Sequence, residues 1–187
     1  SEMCIRDRFQ MRHRRNPIHH MQSRLKTIQS MLEKLKRKNY EVSINSAVKN
    51  LQDIAGIRVI CSYVQDVYTI ANLLVSQDDV HLVRMADYIR EPKPNGYRSL
   101  HLIVEIPVFL SEGRILVPVE VQIRTIAMDF WASLEHSLRY KAQEYIPQHI
   151  SDELQRVATD IASLDQRMQA IHDQVDELSD ARSDNAT

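Results

Sequence analysis

The sequence predicts an α+β domain: one mixed sheet of four or five strands, flanked by helices, with a long helix at the C-terminal end. Three observations predict it. Runs rich in β-branched residues recur between Asp53 and Thr125. A single segment of helical period, 64–77, interrupts them. A heptad-spaced apolar stripe then runs from Ile150 to Leu178.

Each element has its own signal. NPIHH reads as a turn into a helix. From about His20 to Lys38, Met21, Leu25, Ile28, Met31, Leu32 and Leu35 recur at helical spacing. VSINSAVKNLQD reads as a second, short helix. DIAGIRVICSY, 53–63, reads as a strand with a glycine near its start. VQDVYTIANLLVSQ is helical through Val67, Ile70, Leu73 and Leu74, and VHLVRMADYIR, 80–90, is another strand. YRSLHLIVEIPVFL, 97–110, and GRILVPVEVQIRT, 113–125, form an antiparallel hairpin around SEG. IAMDFWASLEHSLRYKAQ, 126–143, is a helix expected to turn Phe130, Trp131, Leu134 and Leu138 inward.

In the tail, Ile150, Leu154, Val157, Ile161, Leu164, Met168, Ile171, Val175 and Leu178 step by four and three. A stripe this narrow wants a helical partner, and its strictness favours a subunit interface over folding back. SDARSDNAT is expected to be disordered. The first eight residues, SEMCIRDR, share no pattern with the rest of the chain and read as a non-native start. The expected organisation is thus a non-native or disordered start over 1–8, a domain over 9–146, an oligomerisation helix over 147–179 and a disordered tail over 180–187.

Composition narrows the chemistry. With 43% hydrophobic and 26% charged residues in 187, the chain has enough apolar material for one core. No apolar run reaches the length of a membrane span. Cys4 and Cys61 lack metal or redox spacing, and Cys61 reads as a buried thiol, which fits a reducing, cytoplasmic setting. The net charge of −1 hides an asymmetry. Eleven Lys/Arg face two acids between Arg6 and Lys38, whereas three face nine between Ser151 and Thr187. The front seeks anions and the tail is acidic.

There are three glycines, Gly56, Gly96 and Gly113. That excludes a Walker loop and a dinucleotide fingerprint, which each need several in one turn. Side chains must hold any bound phosphates. No serine sits in a GxSxG elbow, and no histidine pairs at zinc-ligand spacing. His19–His20 and His172-Asp173 read as surface or packing residues.

Five segments carry chemistry. SRLK at 23–26 leads to Ser30 and Lys34; on a helix, Lys26, Ser30 and Lys34 would share one face as a polyanion track. DIAGIR supplies Asp53 and Arg58. KPNGYRSLH, 93–101, supplies a cation, a rigid turn, an aromatic ring and His101. In VEVQIRT, Glu120, Gln122 and Arg124 alternate onto one strand face, which implies a wet cleft. DFWASLEH puts Asp129 and His136 on one side of a helix.

In this order and spacing, SRLK…S…K, DIAGIR, KPNGYRSLH, VEVQIRT and MDFWASLEH…YK resemble the RelA/SpoT-like alarmone synthetases, specifically the small, single-domain GTP pyrophosphokinases. The resemblance runs from about Phe9 to the tail helix. It implies a nucleotidyltransferase-like synthetase fold that transfers pyrophosphate from ATP to the ribose 3′-hydroxyl of GTP or GDP. The products would be pppGpp or ppGpp and AMP. It implies that Arg24 and Arg58 sandwich the adenine and that Lys26, Ser30 and Lys34 hold the ATP phosphates. Asp53 would bind Mg²⁺. Tyr97 would stack on guanine, with Lys93 and His101 at the acceptor phosphates or ribose. Glu120 would take the hydroxyl proton or share the Mg²⁺. Gln122 and Asp129 would contact the acceptor base or ribose, although relatives often have Asn at the latter position. Arg124 and His136 would be supporting charges.

Blander roles compete: Asp53 as a turn cap, Tyr97 at the core edge, Glu120 as an exposed strand acid, His101 and His136 as structural histidines. The resemblance also implies a homotetramer joined partly through the C-terminal helix, no hydrolase activity, and regulation by (p)ppGpp or single-stranded RNA. A non-catalytic nucleotide- or RNA-binding module would use the same basic front, but it would gain nothing from Asp53 and Glu120. A nucleotidyltransferase would ask for a Gly-Ser followed by paired acids, which the chain lacks.

Overall fold

A computed structural model describes residues 15–25, 27–43, 46, 50, 51, 54–110, 113–142 and 146–184, without the side chains of Arg24, Leu110 and 180–184. Among these, the order is β1 (Ile18–Leu25), α1 (Ile28–Arg37), β2 (Ala55–Cys61), α2 (Val64–Val75), β3 (His81–Asp87), β4 (Leu100–Leu110), β5 (Gly113–Thr125), α3 (Ile126–Lys141) and α4 (Gln148–Asp184). The five strands form one sheet in the order β1-β2-β5-β4-β3. Only β2 and β5 run parallel; the other pairs are antiparallel. The expected mixed sheet is present, at the upper end of its expected size.

Period-two alternation gives the sheet two unlike faces. On one, Val59 and Cys61 of β2, Leu100, Leu102 and Val104 of β4, and Val119, Val121 and Ile123 of β5 are buried against Val67, Ile70 and Ala71 of α2. Fully burying a side chain such as Leu102 or Ile123 contributes about 2 kcal/mol. On the other face, Arg58, Glu120, Gln122 and His101 lie in adjoining register rows. A second, smaller core joins Leu35 of α1 to Leu51, with Met31 and Ile54 against them. It fixes α1 beside the start of β2.

The first expected helix is corrected in its first half. Residues 18–25 form an edge strand paired antiparallel with β2. Met21 and Leu25 satisfy a helical period, but Ile18 is buried in the sheet core and Met21 packs on it. The free edge of β2 offers this segment a hydrogen-bond ladder, which outweighs an ambiguous period. The helix starts only after Thr27, whose hydroxyl accepts from Ser30 N at 3.3 Å. It ends at Lys38, followed by Asn39 at φ 56°, a left-handed cap that Asn tolerates.

Of the four residues expected to face inward on α3, only Trp131 is buried; Phe130, Leu134 and Leu138 are exposed. The tail expected to be loose from Asp180 is helical to Asp184. The expected short helix at 42–53 falls largely on undescribed residues, although Ser46 and Asn50 are helical. The expected foreign start, 1–8, lies outside the described residues.

α4 packs on its own domain through a small and polar row. Ala158 and Asp165 are buried. Gln169 Oε1 accepts from Gln65 N at 2.9 Å, and His172 stacks on Tyr63 at 4.1 Å. Most of the heptad stripe lies outward: Ile150, Val157, Leu164, Met168, Ile171, Val175 and Leu178 are exposed.

Candidate functional site

The polar sheet face and the loop between β3 and β4 meet at a connected cluster. The loop is held by its own chemistry. Gly96 N donates to Lys93 O at 2.8 Å, and Lys93 N to Tyr97 O at 3.1 Å. Asn95 Oδ1 accepts from Tyr97 N at 3.2 Å, while its Nδ2 donates to Glu135 Oε1 of α3 at 3.0 Å. Gly96 has φ +90°, where a side chain would be strained. The Asn-Gly pair therefore sets the turn, and the turn aims Tyr97 at the sheet.

At the sheet, a directional chain of polar groups begins. Arg124 donates to the Tyr97 hydroxyl at 3.0 Å and to Gln122 Oε1 at 2.8 Å, and it reaches Asp129 Oδ1 at 3.3 Å. The Tyr97 hydroxyl lies 2.8 Å from His101 Nε2. His101 Nδ1 faces Glu120 Oε1 at 3.4 Å, and Gln122 Nε2 lies 3.4 Å from Glu120 Oε2. Because Arg124 can only donate, the phenol accepts from it and is free to donate to Nε2. If the phenol donates to Nε2, the ring proton of a neutral His101 lies on Nδ1, the nitrogen that faces Glu120. Burial raises the Tyr97 pKa despite the Arg124 charge beside it, so the phenol keeps its proton. Burial lowers the Arg124 pKa, with Tyr97 and Asp129 opposing the shift; a guanidinium still remains charged.

Three cations and two acids make up the charged part of the cluster. Lys93 Nζ lies over the rings of Tyr88 and Tyr97 at 4.7 and 4.9 Å from their centroids. Arg58 approaches Asp129 at 3.8 Å. Tyr88 meets Tyr97 and His101 edge-on at 6.2 and 5.1 Å. The arrangement combines aromatic rings, a cationic balance and two carboxylates: Asp129, which faces Arg58 and Arg124, and Glu120, whose side chain is 26% exposed. It suits an anionic ligand with a planar base.

Comparison with known proteins gives this geometry a family. A family model described as the region found in RelA/SpoT proteins matches residues 23–145. The chain belongs to the RelA/SpoT family. The GTP pyrophosphokinase YwaC of Bacillus subtilis is 45% identical over 172 residues, covering 92% of this chain and 82% of that protein. YjbM of the same organism, also a GTP pyrophosphokinase, is 38% identical over 96% of this chain and 83% of its own length. Among solved structures, small alarmone synthetase 1 of B. subtilis bound to its product pppGpp has a TM-score of 0.84 at 38% identity, covering 93% of this chain and 88% of that one. Small alarmone synthetase 2 of the same organism has a TM-score of 0.83 at 43% identity, covering 92% and 89%.

For a RelA/SpoT-family chain, the structure brings together eight of the fourteen expected residues. Lys93, Tyr97, His101, Glu120, Gln122, Arg124, Asp129 and Arg58 form the cluster above. His136 is exposed on α3. Its neighbour Glu135 is buried and holds Asn95 and Arg139 instead. Arg124 is more central than a supporting charge, since it touches three cluster members. Both ring nitrogens of His101 already face protein groups.

Of the others, Ser30 and Lys34 share a face of α1, half-buried. Arg24 is in β1 rather than on that helix; its backbone pairs with Gly56, which pairs with Glu120. Lys26 and Asp53 lie outside the described residues. Tyr88 and Glu135 were not expected. Tyr88 has no signal beyond lying near the end of a strand-like run, and Glu135 becomes legible only once Asn95 needs a partner.

Proposed function

We propose that this chain is a (p)ppGpp synthetase, a GTP pyrophosphokinase that moves the β,γ-pyrophosphoryl group of ATP to the ribose 3′-hydroxyl of GTP or GDP. The observation that carries this reading is the polar chain from Arg124 through Tyr97 to His101, with Glu120 3.4 Å from His101 Nδ1, on the sheet face beside the register row that holds Arg24 and Gly56. One purine nucleotide lies on the Tyr97 loop, the other on β1, α1 and Arg58, and Glu120 stands between them.

Tyr97 offers its ring to guanine, and its hydroxyl, held by Arg124, keeps the ring from rotating. Lys93 neutralises acceptor phosphate. Gln122 and Asp129 contact the acceptor base or ribose. Arg24 and Arg58 stack on adenine, while Lys26, Ser30 and Lys34 take the donor phosphates. The acceptor 3′-oxygen attacks the β-phosphorus of ATP, the bond from that phosphorus to the α–β bridging oxygen breaks, and AMP leaves. The hydroxyl proton passes to Glu120 or, through it, to solvent. With little covalent chemistry required, these contacts act by positioning and by neutralising charge.

Carboxylate oxygens suit a divalent ion. Glu120 offers carboxylate oxygens, and Asp53 precedes by three residues the Gly56 that pairs with Glu120. Glu120 and Asp53 would hold Mg²⁺, which supplies charge neutralisation on the transferring phosphates. No described helix is long and apolar enough to cross a membrane, and we place the enzyme in the cytoplasm. The outward stripe on α4 supports self-association, with a tetramer as the favoured form.

The test is a split between two variants assayed with Mg²⁺, ATP and GTP. Glu120→Gln should abolish turnover while binding GTP as before. Tyr97→Ala should retain turnover at saturation with a KM for GTP raised by about tenfold or more. Full activity in Glu120→Gln would remove the reading.

A further inference from the structure

Two contacts tie α4 to the acceptor side of the site, and neither uses its outward stripe. The first lies under the Pro94-Asn95-Gly96 turn. A Cβ added at Gly96 would fall 2.5 Å from the Cβ of Ala158 and 3.7 Å from the Trp131 ring. The turn that carries Lys93 and Tyr97 rests on a methyl group of α4, at a separation that admits nothing larger. Ala158 is buried, and one turn earlier the Leu154 carbonyl accepts from Trp131 Nε1 at 3.0 Å.

The second contact is seven residues further along α4. Asp165 Oδ2 accepts from the Thr125 hydroxyl at 2.5 Å, with both residues buried. Thr125 follows Arg124 directly. Its hydroxyl oxygen also accepts from Met128 N at 3.1 Å, which caps α3 one residue before Asp129. Asp165 therefore holds the joint from which both Arg124 and Asp129 project. Burial raises its pKa, with the Thr125 hydrogen bond and the Arg98 charge opposing that shift.

We propose that α4 is a positioning element for the acceptor nucleotide: Ala158 sets the height of the Tyr97 loop, and Asp165 locks Thr125 and so the placement of Arg124 and Asp129. This rests on the acceptor reading of the Tyr97 loop given above. Close-packed contacts have no slack, so a larger group at position 158 must lift the turn. A lifted turn misplaces the Tyr97 ring, and losing a base–ring stack weakens binding by about ten- to a hundredfold.

The test uses the full chain, with GTP and ATP titrated singly by calorimetry and thermal unfolding measured alongside. Ala158→Leu should weaken GTP binding by roughly ten- to a hundredfold and leave the Kd for ATP unchanged. Asp165→Ala should do the same. Asp165→Asn keeps an acceptor oxygen for the Thr125 hydroxyl and should restore the wild-type Kd for GTP. A purely structural role would lower the fraction of competent sites and leave both Kd values alone. That result, or an equal rise in both, would overturn the proposal. If Ala158→Leu does not fold, the Asp165 pair decides alone. Tyr97→Ala separates the two layers. If it leaves GTP affinity intact, the acceptor reading falls and takes this proposal with it. If it weakens GTP binding while the α4 variants do not, only the positioning role falls.

Discussion

Arg124 is the residue on which the cluster turns. Its guanidinium reaches Tyr97, Gln122 and Asp129 at once, with a side chain only 3% exposed. A lysine would keep the charge but cannot present three donors in a fixed fork. Arg124→Lys should therefore lower kcat/KM by about a hundredfold in a folded protein, measured by steady-state kinetics; wild-type activity would reduce the guanidinium to a spectator. Tyr97 keeps its proton through burial, the largest cause of its raised pKa. Tyr97→Phe should thus lower activity evenly across neutral pH and leave the shape of the pH profile unchanged. Much of this was legible in the sequence. Strand alternation grouped Glu120, Gln122 and Arg124, and the Asn-Gly turn marked Tyr97. What alternation could not supply was the link between them: the Arg124–Tyr97–His101 chain joins a strand to a loop 27 residues away.

Elements were legible where one pattern dominated and misread where two competed. α2, β4, β5 and α4 follow their periods closely. β1 does not, because Met21 and Leu25 fit a helix while the open edge of β2 rewards a strand. α3 was misread for the opposite reason. It packs mainly through Met128, Trp131 and Glu135, so an apolar residue such as Phe130 or Leu138 carries no information about burial there. The head of α2 shows what fastens an element that propensity alone leaves weak. Asp66 is 2% exposed; its two carboxylate oxygens accept from Arg15 at 2.7 and 2.8 Å, and one also accepts from Tyr63 N at 3.3 Å. Arg15→Met strands that carboxylate and should destabilise the fold by about 3 kcal/mol in urea unfolding; a change near zero would mean that Asp66 finds compensation elsewhere. Asp165 gives a pH prediction of known sign. Its raised pKa means that the fold favours the protonated acid. The associated stability is fully present below the ordinary carboxylate pKa and is lost as pH rises through the raised one. Relative to Asp165→Asn, the wild type should lose stability as pH increases over that window, and a flat difference would contradict it.

Across the whole molecule, the sheet separates two tasks. Its apolar face makes the core with α2, and its polar face carries the site. α4 spans both concerns: one row of side chains packs under the Tyr97 loop and against Thr125 while the opposite stripe stays exposed. The stripe is the clearest pattern in the sequence; its heptad step favours a subunit interface, and most of its residues lie exposed on α4. The sequence could not show that a second row, Ala158 and Asp165, does the intramolecular packing, because neither a small nor an acidic residue announces burial. If the stripe joins subunits as proposed, Leu164→Asp with Ile171→Asp should lower the particle mass measured by light scattering, and an unchanged mass would assign the stripe another role. The chemistry itself is tested most directly by the fate of label. ATP carrying distinguishable β- and γ-phosphorus atoms is incubated with GTP, Mg²⁺ and the wild-type chain, and the nucleotides are separated. Both labels should leave ATP together and appear on one guanosine nucleotide at its 3′ position, with AMP formed in equal amount. Transfer of the γ-label alone with release of ADP, or tight binding of both nucleotides with neither label moved, would contradict the assignment of this sheet face as a pyrophosphoryl-transfer site.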